Sequence, residues 1–294
     1  MHFETKGQVL FRWLFNYPFL IILTFICLYP MLYVLFAAFS NPSLYMAHRD
    51  ALWRPLGFST GSFVHVFENP NLISGYLNTV WILAVGVPIN MFLTILGAYF
   101  LSRRGVMFFK PIMILIIFTM YFSGGLIPTY MLVQNLGLLD TRWALILPGA
   151  VSTFNMIVLR TAMHAVPESL EESAKLDGAN HFRILFQIMV PLVKPTMAVL
   201  VLFYGVGHWN SWFPAMIYLR NRALFPLQLI LREILVLNDV AGLDLGAGGA
   251  GDVEMIAATV RYALIIVATV PILALYPFLQ RYFTKGVMIG AIKG

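Results

Sequence analysis

From Tyr17 to Phe39 the chain runs without a single charged side chain. About 20 such residues suffice to cross the hydrocarbon core of a bilayer as an α-helix, the conformation that pairs every backbone N–H and C=O within the segment. Five more predominantly apolar stretches follow, at Gly75–Leu101, Pro111–Val133, Trp143–Met163, Pro195–Leu219 and Val260–Phe283. Composition agrees: 60% of the 294 residues are hydrophobic and 11% charged, where a soluble domain carries roughly 25% charged. The expected architecture is an all-α integral membrane protein with six transmembrane helices, forming a single domain over residues 1–294. Lys6 and Arg12 precede the first stretch as in a secretory signal, but its apolar run exceeds the about 7–15 residues of a signal core. It is expected to remain as an anchor.

Lysine and arginine set the orientation. With both termini on one side, that side holds twelve of the nineteen basic residues and every lysine. Both termini are therefore expected in the cytoplasm, and the +6 net charge needs no nucleic-acid partner. Loops at 40–74 and 220–258 fall outside. Within the second, Leu224–Leu237 is apolar but too short to span, so it lies at the interface or turns back into the protein. Pro88, Gly124-Gly125, Pro128, Pro148, Pro271 and Pro277 interrupt the spans, as ordinary kinks or as helices lining a pathway that changes shape.

One dense polar segment stands out, ESLEESAKLDGANHFRILFQIMVPLVKP at Glu168–Pro195, on the cytoplasmic side between the fourth and fifth spans. Pro167 suits the start of a helix, and Glu168, Glu171 and Glu172 complement its positive end. Asp177-Gly178 reads as a stop with glycine at the C-terminal cap. Asn180 is a plausible N-cap for a second helix to Met189, whose Phe182, Leu185, Phe186 and Met189 fall at the spacing of one apolar face. Such a helix-turn-helix could rest on lipid or cap its own bundle. Interfacial lipid-binding helices carry basic polar faces, however, and Glu171, Glu172 and Asp177 suit a protein partner better.

The stretch EESAKLDGANHFRILFQIMVPL resembles the signature loop of permease subunits in bacterial ABC importers. The resemblance rests on Glu172-Ser173-Ala174, Asp177-Gly178-Ala179, Phe182, Ile188 and Pro191, with Ser173 where alanine is usual. SGGLIPTY (Ser123–Tyr130), HWNSWFP (His208–Pro214) and KGVMIGAIKG (Lys285–Gly294) resemble the carbohydrate-uptake branch, in particular its maltose-type second permease subunit and permeases for polysaccharide fragments such as alginate and other uronate oligosaccharides. The resemblance implies that residues 167–194 form a coupling helix seated in a cleft of a cytoplasmic ATPase. Phe182, Leu185 and Phe186 would be apolar anchors there, Glu171, Glu172 and Asp177 would set orientation, Gly178 would let the turn be tight enough to fit the cleft, and Ala174 and Ala179 complete the ATPase-coupling residues. Implied partners are a second permease subunit, two ATPase subunits carrying ATP and Mg, an extracytoplasmic solute-binding protein, membrane lipid and an oligosaccharide. The implied location is the bacterial inner membrane.

Other signals carry less. No G-x-x-x-x-G-K-[ST] occurs, so the chain is expected to be no enzyme and to hold no cofactor, ATP being bound elsewhere. Gly246, Gly248 and Gly251 match G-x-G-x-x-G but lie in an external loop rather than between strand and helix. The six histidines lack metal-ligand spacing. Asp239, Asp244 and Asp252 lack that of an EF-hand and read as a solvated loop rather than an ion site. Cys27, the lone cysteine, can form no internal disulfide.

The spans hold almost no ionisable groups, which argues against a proton-driven symporter. They do hold aromatic and amide side chains, the types that stack on sugar faces and bond sugar hydroxyls. Asn78, Tyr121, Tyr130, Trp209, Asn210 and Trp212 are the pathway candidates, the helical spacing of Trp209 and Trp212 putting both indoles on one side. Membrane-interface belts are the alternative for such aromatics. Seven external arginines would suit carboxylated sugars, although eight external acids face them. An ATPase-independent carrier or channel, or a scaffold using residues 167–194 as an adaptor site, remain the other readings.

Overall fold

The computed structural model describes residues 12–48, 50–103, 105–236 and 256–274. The helices in chain order are α1 (Tyr17–Ala38, entered through a π-helical turn at Arg12–Asn16), α2 (Pro42–Ala47), α3 (Gly61–Glu68), α4 (Pro70–Ser102), α5 (Phe109–Tyr121) and α6 (Leu126–Asn135). They continue as α7 (Thr153–His164), α8 (Glu168–Leu176), α9 (His181–Leu192), α10 (Lys194–Trp209), α11 (Trp212–Tyr218), α12 (Leu227–Val236) and α13 (Ile256–Ala274). Among the described residues there is no strand, only an isolated bridge between Ser40 and Phe58.

Three helices are long and apolar enough to cross a membrane: Trp13–Ala38, α4 and α13. Two pairs qualify if each bent pair is one span, α5 with α6 (bent by 108°) and α9 with α10 (bent by 85°), which gives up to five. The α5–α6 break falls at Gly124-Gly125, where Gly125 takes φ +86°, a conformation that disfavours any residue with a Cβ. Pro30, Pro88 and Pro271, by contrast, sit inside uninterrupted helices.

Besides Pro111–Val133, divided between α5 and α6, two further expected spans are not continuous helices. Trp143–Met163 consists of a 3-10 turn (Arg142–Leu145), a non-helical segment through Pro148-Gly149, and the 12-residue α7. Pro195–Leu219 breaks at Asn210-Ser211 between α10 and α11. The end of the sixth expected span, the C-terminal KGVMIGAIKG, and the glycine- and aspartate-bearing loop at 239–254 lie outside the described residues.

The described residues divide into two compact units, one up to Pro70 with Ile234–Val270, the other Asn71–Glu233 with the residues from Pro271 on. In the first, a chain of hydroxyls ties three helices: Tyr33 and Tyr45 share a hydrogen bond of 3.0 Å, and Tyr45 donates to Tyr262 at 2.8 Å. Burial and then these bonds push the Tyr45 hydroxyl well above its ordinary value. Ser62 of α3 donates to Thr259 of α13.

The second unit is built on α4, whose 33 residues measure about 50 Å at 1.5 Å per residue, longer than the roughly 30 Å hydrocarbon core. Gly75, Gly86 and Gly97 recur on it at a spacing that returns to one face. A Cβ at these glycines would lie 2.6 Å from Ile230, 2.9 Å from His208 and 2.6 Å from Met156 respectively. The glycines thus let α12, α10 and α7 close on α4. The apolar segment of the loop expected outside is α12, and its Leu227, Leu229, Ile230 and Leu231 are buried. It turns back into the protein rather than lying at an interface.

Candidate functional site

Glu168–Leu192 forms a helix-turn-helix. Glu168 and Glu171 lie in the first turn of α8 and Lys175 in its last, matching the helix dipole. Gly178 takes φ +79°. Its amide bonds the Lys175 carbonyl and the Ala179 amide bonds the Ala174 carbonyl, the pair of bonds of a Schellman cap. No atom lies within 4 Å of where a Gly178 side chain would be, so the requirement for glycine is conformational. Asn180 Oδ1 accepts the Arg183 amide at 2.9 Å, capping α9.

The apolar residues of α9 divide. Phe182 is 69% exposed and Phe186 is also exposed, whereas Leu185 is 2% exposed and packs with Ile184 and Met189 against Leu159, Met163 and Leu101. Leu185 is a core residue of this chain, so its expected role as an anchor on a partner is corrected. The reason is local: Ile184–Met189 is wound as a π-helix, whose i→i+5 bonds shift the register and separate Phe182 and Phe186 from Leu185 and Met189. Leu185→Ala is expected to cost about 2–5 kcal/mol of stability, the range for emptying a buried leucine site. Phe182→Ala should fall within about 0.5 kcal/mol of wild type, as surface changes do. Thermal unfolding in detergent compares the two.

The acids divide as well. Glu172 and Asp177 are exposed, but Glu171 turns inward to a salt bridge with Arg103 and bonds Lys175 at 3.0 Å. That corrects its expected role in orienting a partner. Ala174 is buried and Ala179 packs against the same core. Sequence reasoning missed Leu176, which stands 90% exposed at the tip beside the turn, and Leu170, exposed on α8. An apolar residue directly before the Asp-Gly stop was the available signal.

This helix-turn-helix is locked to the end of α4. The Arg103 guanidinium lies 4.5 Å from the Tyr99 ring centroid while it pairs with Glu171. Tyr99 and His181 share a hydrogen bond of 3.2 Å. The last carbonyls of α4, otherwise unpaired, receive donors from α7: Arg160 Nε reaches the Leu101 carbonyl at 3.0 Å and His164 Nδ1 the Ser102 carbonyl at 3.2 Å.

Higher along α4 the polar side chains satisfy broken backbone. Asn90, fully buried, donates to the Ala150 (2.8 Å) and Gly149 (3.3 Å) carbonyls, and its Oδ1 accepts from His208 Nε2 at 2.7 Å. Thr94 and Tyr204 share a bond of 2.6 Å, and the Tyr204 hydroxyl accepts the Ser152 amide. These groups hold the non-helical segment around Pro148.

The pathway candidates do not form one set. Asn78 is buried, donates to the Ala223 and Phe225 carbonyls, and accepts two bonds from Arg142. It is a lock between segments, which removes it from a solvent pathway. Trp209 is 7% exposed with its Nε1–H unpartnered among the described residues, its ring edge-on to Tyr76. Trp212 is 37% exposed on the far side of the break, so the shared helix side does not exist. Tyr121 is exposed, Tyr130 stacks on Tyr218, and Asn210 bonds back to the Val206 carbonyl.

At the other end of this unit, Asp140 takes φ +58° and accepts the Asn221 and Arg220 amides at 2.8 and 2.9 Å, which hold its carboxyl below its ordinary value. Arg222 pairs with Glu233 at 3.1 Å. Among the described residues no cluster of His, Cys, Asp and Glu could hold a metal.

Long apolar helices, with a polar helix-turn-helix locked to the end of one of them, fit the all-helical fold of a membrane permease. The chain belongs to the permease subunits of ABC oligosaccharide transport systems. It is 40% identical over 278 residues (95% of this chain, 96% of the relative) to the polygalacturonan/rhamnogalacturonan transport system permease protein YtcP of Bacillus subtilis. It is 39% identical over 273 residues (92% and 90%) to protein LplC of the same organism. A crystal structure of a bacterial ABC transporter involved in the import of the acidic polysaccharide alginate superposes with a TM-score of 0.86 at 29% identity, covering 96% of this chain and 100% of that one. No family model matches the chain.

Proposed function

We propose that this chain is the translocating subunit of an ATP-driven importer of acidic oligosaccharides in a bacterial cytoplasmic membrane, with six spans, cytoplasmic termini and Glu168–Leu192 as the coupling element. A second permease subunit, two ATPase subunits binding ATP and Mg, and an extracytoplasmic binding protein complete the assembly, and this chain carries no cofactor of its own. The observation that carries the coupling role is the tip of the helix-turn-helix, where Leu176, Phe182 and Phe186 face solvent while the segment behind them is fixed to α4 by Arg103–Glu171 and Tyr99–His181. Exposed apolar anchors on a rigid base are what a docking knob requires. Glu172 and Asp177 beside them set orientation, and Leu176 takes the place first given to Leu185. The acidic substrate is supported by the relative named for polygalacturonan and rhamnogalacturonan and by the transporter for the acidic polysaccharide alginate.

Co-expression with the neighbouring transporter chains and purification in detergent tests the coupling role. Leu176→Asp and Phe182→Asp are expected to lower the co-purifying ATPase at least about tenfold, the loss of a typical buried anchor, while the permease melts at its wild-type temperature. Retention of the ATPase by both variants would overturn it.

A further inference from the structure

Two of the arginines near the external ends of α11 and α12 are engaged. Arg142 is spent on Asn78 and lies over the Trp81 ring at 5.2 Å. Arg222 is paired with Glu233. Asp140, the other described acid nearby, is occupied by backbone amides. Arg232 differs. Its guanidinium lies 4.7 Å from the centroid of the Trp212 ring, and its hydrogen bond among the described residues is from Nη1 to the Met216 sulfur at 3.3 Å. A thioether is a weak acceptor, so most of this donor fork is uncommitted. Phe213 stands edge-on to Trp212 at 5.4 Å, and the indole keeps 37% of its surface exposed.

We infer that Arg232 and Trp212 form a subsite for one uronate residue of the substrate, the guanidinium taking the carboxylate and the indole taking the sugar ring. This rests on the acidic-oligosaccharide reading above. A uronate joins a planar anion to a ring with an apolar face. The site matches it with a planar bidentate donor beside an amphipathic aromatic surface. Stacking on the indole restrains Arg232 before any ligand arrives and reduces the ordering cost of binding. Among the described residues Glu233 pairs with Arg222 and Asp140 with backbone amides, and the guanidinium is left to an acid that comes with the ligand.

The test uses the complete transporter in proteoliposomes, with uptake of trigalacturonate and of neutral maltotriose measured for wild type, Arg232→Gln and Arg232→Lys. Co-purification of all partner chains serves as the folding control. Wild type is expected to favour trigalacturonate. Arg232→Gln should assemble but take up trigalacturonate about tenfold or more slowly at low concentration, the loss of a charge-assisted bond, and Arg232→Lys should fall between. Raising salt should slow wild type more than Arg232→Gln, because the variant has no charge there to screen. If wild type shows no preference for trigalacturonate, the acidic reading fails and the subsite with it. If wild type prefers it and Arg232→Gln carries it equally fast, the subsite alone fails. Failure of Arg232→Gln to assemble, with Arg232→Lys behaving as wild type toward both sugars at every salt concentration, also overturns it by making the residue structural.

Discussion

Asn90→Leu is expected to remove about 3 kcal/mol or more of stability, measured as unfolding in detergent. The replacement is similar in size and more apolar, and in a helix facing lipid it would be harmless. Here the amide serves three groups at once, the Gly149 and Ala150 carbonyls and His208. Leaving a buried polar group unpaired costs about 1–3 kcal/mol each, and no water is at hand within a bilayer to replace the partner. Asn210→Leu is the contrast: Asn210 is exposed and bonds within its own helix end, so its change should stay within about 0.5 kcal/mol. Equal effects at the two positions would show that Asn90 does not support the segment around Pro148.

Glu171→Leu is expected to cost about 3–5 kcal/mol, and the double change Arg103→Met with Glu171→Leu to recover most of it. Both charged side chains are largely buried, at 16% and 13% exposure, and losing one partner strands the other away from water. Removing both exchanges a costly ion pair for packing, which is often neutral. A double-mutant cycle in chemical denaturation measures the coupling. If the double variant is as unstable as the sum of the singles, the pair does not hold α8 to the end of α4.

The all-helical character of the chain and the turn and caps within Glu168–Leu192 were legible in the sequence because they depend on local signals: apolar length, the Asp-Gly stop, the Asn180 cap. What was not legible depends on winding and on partners far along the chain. The π turn at Ile184–Met189 moved Leu185 into the core, a change that a count of 3.6 residues per turn cannot register. Asn78 resembled a sugar ligand because an amide looks the same whether it serves a substrate or a carbonyl far along the chain. The break at Asn210-Ser211, which separates Trp209 from Trp212, contains no proline or glycine itself; its one local signal was Pro214 in the first turn of α11, which cannot bond back to the Asn210 carbonyl. The glycines at 75, 86 and 97 were visible as residues, but their use depends on which helix arrives opposite each.

The 85° bend at Val193 between α9 and α10 has a mechanical consequence. Two stiff rods joined at nearly a right angle form a bell crank: a push along the first becomes a sideways swing of the second, with little travel along the second's own length. A displacement of a few ångströms delivered at Phe182 would therefore reach Tyr204 and His208 as tilt rather than as piston motion. Those two side chains hold Thr94 and Asn90, so the swing would be felt first where the middle of α4 grips the broken segment, and the gain of the lever would be set by how far along α10 each contact sits.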